Sequence, residues 1–314
     1  MKQELSAVIG EIEKVISGKD EVVRKTLAAM LAGGHILLDD VPGVGKTTLA
    51  VTLGRVMSLA FRRVQFTPDV LPSDISGYTL YNKETGAFEY RPGAVTDANL
   101  LLGDEINRAS SRTQSALLEA MEENQVTVDG QTHPLPRPFI VIATQNNVGT
   151  AGTQPLPYAQ MDRFMVRLTL GYPDRDAQIE LLRRRQNANP LSEARPVVTL
   201  EAFRRMQAEV EAVAAKDCIL DYIARLVMAT RAHSSAAMGV SPRGALFIDR
   251  MAKARACMED RAFVIPEDVQ AVFCDVAAHR LILTPAARLS GAEPRAVLDE
   301  VLATVPSPDW DGAA

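Results

Sequence analysis

Two periodicities divide this chain. In its first part, short segments rich in apolar residues at 36–39, 63–66, 100–103 and 140–144, with a candidate fifth at 166–170, read as strands. Over 46–58 and 113–123, and over 21–32 ahead of the first run, apolar residues return every three or four positions, as one face of a helix does. Apolar runs without alternation fit strands covered on both faces, and helices alternating with such strands are the crossovers of a parallel sheet. From about residue 174 the strand-like runs almost disappear, and helical periodicity repeats over 177–185, 200–215, 219–232, 242–257, 266–283 and 294–303. The pattern therefore predicts an α/β core, residues 1–188, followed by a smaller all-helical domain, residues 189–314. The division falls in the polar, proline-containing stretch 187–196. Two β-hairpins are also expected: runs at 78–82 and 87–90 flank a turn ending in Gly86, and 125–128 precedes the tight-turn pair Asp129-Gly130. The tail 306–314 reads as frayed.

Composition narrows the class. With 314 residues the chain fits two ordinary domains, and 47% apolar with 23% charged residues is globular rather than disordered. Cys218, Cys257 and Cys274 are widely spaced and form no C-x-x-C pair, which argues against a disulfide framework or a zinc site and for a reducing compartment. His35, His133, His233 and His279 share no metal-ligand spacing and read as packing or surface residues. Lys2 and Glu4 interrupt the N-terminus, so no signal peptide is expected, and no apolar run approaches the ~20 residues of a membrane span. A soluble, cytoplasmic protein is the expectation. The net charge of −5 offers no general attraction to nucleic acid, although Arg183, Arg184 and Arg185 form a local basic stretch.

The chemistry starts at Asp39-Asp40-Val41-Pro42-Gly43-Val44-Gly45-Lys46-Thr47-Thr48, which follows a strand and opens a helix. That setting defines a phosphate-binding loop: backbone N–H groups point at the phosphates and the helix N-terminus adds partial positive charge. Gly43, Val44 and Gly45 form the cradle, Lys46 would bridge the β- and γ-phosphates of ATP, the Thr47 hydroxyl would hold Mg²⁺, and Thr48 continues the helix start. Asp40 stands where the full pattern has glycine, and a carboxylate facing inward would repel phosphate. The second element is the run 99–103 ending in Asp104 and Glu105, at the end of the sheet where open α/β folds bind ligands. Asp104 is placed at or near the metal, and Glu105 is placed to orient and deprotonate the attacking water.

Longer stretches then carry a family resemblance. Gly103-Asp104-Glu105-Ile106-Asn107-Arg108-Ala109, Thr113 through Glu123, Ala143-Thr144-Gln145-Asn146, Pro155-Leu156-Pro157 and Ala159-Gln160-Met161-Asp162-Arg163-Phe164 resemble the MoxR family of AAA+ ATPases, in the clade with an insert at helix 2. Gln65 through Asp74 and Ser241-Pro242-Arg243 belong to the same pattern, so the likeness runs almost end to end.

The resemblance implies a P-loop AAA+ core with a helical lid, ATP hydrolysis in a ring, generally a hexamer, and chaperone-like remodelling of a protein partner, commonly one with a von Willebrand factor A domain. It implies that Asn146 is the polar sensor positioning the water, that Arg163 is the finger entering a neighbour's site, and that Arg243 reaches the γ-phosphate of its own subunit. It also aligns the two hairpins with the family's helix-2 insert and its pre-sensor hairpin. Taken alone, an Asn after a strand closes a turn, Arg163 is a helix-end cation, and Arg243, beside the cap Ser241 and Pro242, is a solvated arginine at a helix start. A nucleotide-dependent scaffold in which Asp40 slows hydrolysis, and a chelatase-type motor subunit, stay open as alternatives.

Overall fold

The computed structural model describes residues 1–146, 156–187 and 190–309. The expected domain division at 188/189, Pro155 of the family pattern and the end of the tail, 310–314, lie outside the described residues.

Five parallel strands form the central sheet: β1 (Ile36–Asp39), β2 (Phe61–Gln65), β3 (Leu100–Asp104), β4 (Ile140–Gln145) and β5 (Val166–Leu168), in the spatial order β2-β3-β4-β1-β5. β1, β3 and β4 are buried at every position, as their unbroken apolar runs require. Because side chains alternate across a sheet, each strand feeds two cores. Ile36, Leu38, Leu100, Leu102, Ile140 and Ile142 pack into one, with the helices Asp20–Leu31 and Lys46–Val56. Leu37, Leu101, Val141 and Ala143 pack into the other, with Leu117, Leu118 and Met121 of the helix Ser111–Glu123.

The larger core continues into the helical part of the chain, where Phe203, Tyr222, Leu226, Ile248, Phe273 and Leu298 are buried in the same cluster. Polar links fix that part against the segment that precedes β5. Ser241 Oγ donates to Asp162 at 2.8 Å, and the buried Arg280 donates from Nε to Asp162 at 2.8 Å and from Nη2 to the Phe164 carbonyl at 2.6 Å. Burial lowers the Arg280 guanidinium to about 10, with Asp162 opposing that shift.

Both expected hairpins are present, as Gly77–Asn82 with Ala87–Pro92 and as Gln125–Val128 with Gln131–Pro134, and the Tyr90 ring stacks on His133 at 3.8 Å to join them. Several boundaries differ from expectation. β2 starts at Phe61 and ends at Gln65, because Phe66 turns into the second core, where its ring would lie 3.0 Å from a Cβ on Gly103. β5 stops at Leu168. The helix expected over 266–283 ends at Ala277. One 3₁₀ turn follows, Ala278–Arg280, and then Ile282–Leu283 pairs antiparallel with Ala236–Met238. Thr284 precedes Pro285, and a residue before proline is driven out of helical geometry. A helix not singled out in the sequence, Lys2–Glu13, buries Leu5, Val8, Ile9 and Ile12. No helix among the described residues is long and apolar enough to cross a membrane.

Candidate active site

The loop after β1 carries its two glycines in left-handed geometry, Gly43 at φ 86° and Gly45 at φ 99°. A Cβ placed on either would meet nothing within 4 Å, so the glycines serve backbone conformation, and the space beside the loop is open. Gly45 caps the helix Lys46–Val56 without a side-chain hydrogen bond, which leaves its first N–H groups as an anion-binding end. The Lys46 ammonium is folded over the loop. It donates to the carbonyls of Asp40 at 2.5 Å, Val41 at 3.2 Å and Gln145 at 3.2 Å, and to Asn146 Oδ1 at 2.7 Å. Burial holds its pKa below that of an ordinary lysine, while Asp40, Asp39, Asp104 and Glu105 pull the other way.

Asp40 does not present its carboxylate to the loop's interior. Oδ1 accepts from Val41 N at 2.7 Å and Oδ2 from Gly171 N at 2.6 Å, so the side chain ties the loop to the segment after β5. Nor is Asp40 among the residues with left-handed backbone. Its charge still acts on the nearby Lys46, where it favours the ammonium form.

β3 lies one strand removed from β1 and delivers the two carboxylates to the same end of the sheet. Asp104 accepts from Thr47 Oγ1 at 3.1 Å, Arg63 Nη2 at 2.8 Å and Thr144 Oγ1 at 2.6 Å. Glu105 follows with φ 57°, a left-handed conformation that is uncommon outside glycine and that turns its side chain off the strand. Its N–H donates to Thr144 Oγ1 at 2.9 Å. Its carboxylate accepts from Asn146 Nδ2 at 2.8 Å, Arg108 Nη1 at 2.8 Å and Gln65 Nε2 at 3.3 Å. Asn146 thus bridges Lys46 to Glu105 with its two amide atoms. Lys46, Thr47, Asp104, Glu105 and Asn146, singled out separately in the sequence, form one hydrogen-bonded cluster.

Sequence reasoning missed the supporting residues. Thr144 holds the Asp104 carboxylate and the Glu105 backbone N–H. Arg63 and Gln65 reach the site from β2, where Gln65 stands in register with Asp104. A parallel neighbour ending level with an acidic pair was the available signal.

Arg163 and Arg243 lie elsewhere. Arg163 Nε donates to Glu122 Oε2 at 2.7 Å, and Arg243 Nη2 pairs with Glu122 Oε1. Glu122 closes the helix Ser111–Glu123, which runs back from the C-terminal end of β3, and the adjoining cleft of about 340 Å³ is lined by Gly33, Gly34, His35, Phe139 and Arg250 among others. Those residues precede β1 and β4, so the two arginines occupy the opposite end of the strands from Lys46. The expectation that Arg243 reaches its own subunit's nucleotide is not met here. The contacts of Ser241 and Arg280 with Asp162 hold the start of the helix Pro242–Met258 on the far side of the sheet.

A phosphate loop after β1, an acidic pair ending β3, a sensor-like Asn ending β4 and an attached helical domain together define an ATPase core of the AAA+ class. Comparison with known proteins agrees. Residues 35–166 match the profile of the ATPase family associated with various cellular activities (AAA), and residues 228–301 match the AAA lid domain. The uncharacterized protein YeaC of Bacillus subtilis is 45% identical over 97% of this chain and 95% of its own length. The chaperone MoxR1 of Mycobacterium tuberculosis is 40% identical over 97% of this chain and 82% of its own. The crystal structure of a protein assigned as an ATPase from Cytophaga hutchinsonii superimposes with a TM-score of 0.91 at 39% identity, covering 98% of this chain and 96% of that one. The chain belongs to the MoxR family of AAA+ ATPases.

Proposed function

We propose that this protein hydrolyses ATP to ADP and phosphate at the cluster formed by Lys46, Thr47, Asp104, Glu105 and Asn146. The observation that carries the reading is the Asn146 bridge, which joins the phosphate-loop lysine at 2.7 Å to the base candidate Glu105 at 2.8 Å. The site residues fit the nucleotide. The loop from Gly43 to Thr48 offers backbone N–H groups on an open side, and Lys46 can exchange its carbonyl acceptors for phosphate oxygens. They also fit Mg²⁺, since the Thr47 hydroxyl and the Asp104 carboxylate are hard oxygen donors 3.1 Å apart. When bound, the ion supplies positive charge against the phosphate oxygens. Glu105, oriented by Asn146 and Arg108, takes the proton of the attacking water, and Asn146 keeps that water and Glu105 in line. Against the alternative of a slowly hydrolysing scaffold speaks the orientation of Asp40, whose two carboxylate oxygens are taken by backbone donors.

Arg163 and Arg243 cannot serve the same chain's Lys46 across the sheet, which supports a ring, here a hexamer, in which they serve a neighbour. A chaperone-like role follows the relative named as a chaperone, with a protein client such as one bearing a von Willebrand factor A domain. The exposed apolar side chains of the first hairpin, Tyr78, Leu80, Tyr81 and Phe88, the last 74% exposed, support contact with protein rather than nucleic acid. Phosphate-release and calorimetric assays test the site. Glu105→Gln should bind ATP and release no phosphate, and Lys46→Ala should not bind; full turnover in the first or unchanged affinity in the second refutes the assignment.

A further inference from the structure

We infer that Glu122 is a positioning residue that presents Arg163 and Arg243 as one bidentate unit to the triphosphate held by a second copy of this chain. The inference rests on the proposed hydrolysis between subunits and adds to it the residue that organises the arginines.

Two guanidiniums drawn from different parts of the fold share one carboxylate. Arg163 comes from the turn before β5 and Arg243 from the first turn of the helix Pro242–Met258, yet each takes one oxygen of Glu122. Like charges this close repel, so without Glu122 the pair would splay. Arg163 and then Arg243 hold the Glu122 carboxyl below the usual carboxylate range, so it stays ionised at neutral pH. The carboxylate does not exhaust the donors. Arg163 uses Nε on Glu122 and Nη1 on the Ala159 carbonyl at 3.2 Å, and Arg243 uses Nη2. A guanidinium carries five N–H donors in a planar fork, so both keep N–H groups for a phosphate while Glu122 fixes their planes.

The surroundings also point to an anion. Arg250, seven positions after Arg243 and therefore on the same helix face, lines the same cleft. Glu122 is the single carboxylate among the residues lining it, against three arginines, which leaves a net positive cleft beside the paired forks.

The test uses assembled full-length protein and two readouts, ATP affinity and phosphate release. Glu122→Gln keeps the size of the side chain but only one acceptor oxygen. Its own phosphate loop is intact, so ATP should bind as in the wild type while kcat falls on the order of ten-fold, a share of the ~10³-fold or more that an arginine finger contributes. Mixed with Glu105→Gln, whose arginines are intact, the variant should regain turnover at hybrid interfaces, which a misfolded subunit could not do. Wild-type kcat in Glu122→Gln, while Arg163→Ala is inactive, overturns this inference alone. So does a loss in Glu122→Gln that mixing does not restore in demonstrably mixed assemblies. Full turnover in Arg163→Ala would instead remove the reading between subunits on which it stands.

Discussion

Thr144 offers the sharpest check on how the site is built, because one hydroxyl serves both the Asp104 carboxylate and the Glu105 backbone. It donates to Asp104 Oδ1 at 2.6 Å and accepts the Glu105 N–H at 2.9 Å, and the residue is 0% exposed, so water cannot replace it. Thr144→Val preserves shape and removes both bonds. A hydrogen bond to a charged group is worth about 1.5–3 kcal/mol, and a buried donor left unpaired costs about 1–3 kcal/mol. Asp104 keeps Thr47 and Arg63, which tempers the first loss, so the expected destabilisation is about 2–4 kcal/mol.

The catalytic effect should be larger than that on binding. The hydrogen bonds of the Lys46 ammonium go to the loop, Gln145 and Asn146 rather than to Thr144, whereas the left-handed turn at Glu105 loses its anchor. A misplacement of reacting groups by ~1 Å costs about 10²-fold, so kcat should drop by ~10- to 100-fold with ATP affinity nearly kept. Urea denaturation, calorimetry and single-turnover phosphate release measure the three quantities, with Thr144→Ser as the control that restores the hydroxyl. A valine variant with full turnover and less than about 1 kcal/mol of lost stability would refute the reasoning.

Two further predictions concern stability. His35 is buried at the foot of β1, its Nδ1 accepting from Val141 N at 3.0 Å and its Nε2 facing the Met121 carbonyl at 3.1 Å, and burial lowers its pKa from 6.5 to about 4. The unfolded chain therefore binds this proton first, so stability is full above pH 6.5 and falls as pH drops toward 4, by roughly 3 kcal/mol in all. His35→Gln should flatten the pH dependence of unfolding between those limits, leaving the same-signed contribution of the buried His279; an unchanged slope would contradict the assignment. Asp162→Asn leaves the buried Arg280 without a carboxylate partner and should cost about 3 kcal/mol in urea unfolding, while a loss under ~0.5 kcal/mol would mean the pair does not hold the helical part in place.

What could be read from the sequence follows the range of the interactions. Leu100, Leu101 and Leu102 announce a buried strand by themselves, and the phosphate loop announces its lysine, because both signals are local. The signal of the helix Lys2–Glu13 is equally local, with Leu5, Val8, Ile9 and Ile12 at helical spacing. Phe61 and Arg62 were lost from β2 because an edge strand, partly exposed at Arg62 and Arg63, shows no apolar run. Thr144, Arg63 and Gln65 act through strand register, and Glu122 acts on residues 41 and 121 positions away, so no spacing rule reaches them. The family resemblance singled out Arg163 and Arg243 and expected Arg243 at its own subunit's nucleotide, whereas both side chains pair with Glu122.

That placement constrains assembly by geometry. β3 spans ~17 Å between its ends, with Asp104 at one and the neighbourhood of Glu122 at the other. A two-fold dimer joins the same patch on both copies, and no single patch contains both Lys46 and the Arg163–Arg243 pair. A contact that brings the arginines of one copy to the lysine of another must therefore be head-to-tail, and such a contact leaves one free surface of each kind at its ends until a rotation closes it. Closure converts every site into a completed one, whereas a two-copy assembly completes only one of its two. Turnover per subunit should then rise with assembly size and level off when the ring closes, and a constant value from isolated chain to full assembly would contradict an arrangement in which each site borrows its arginines.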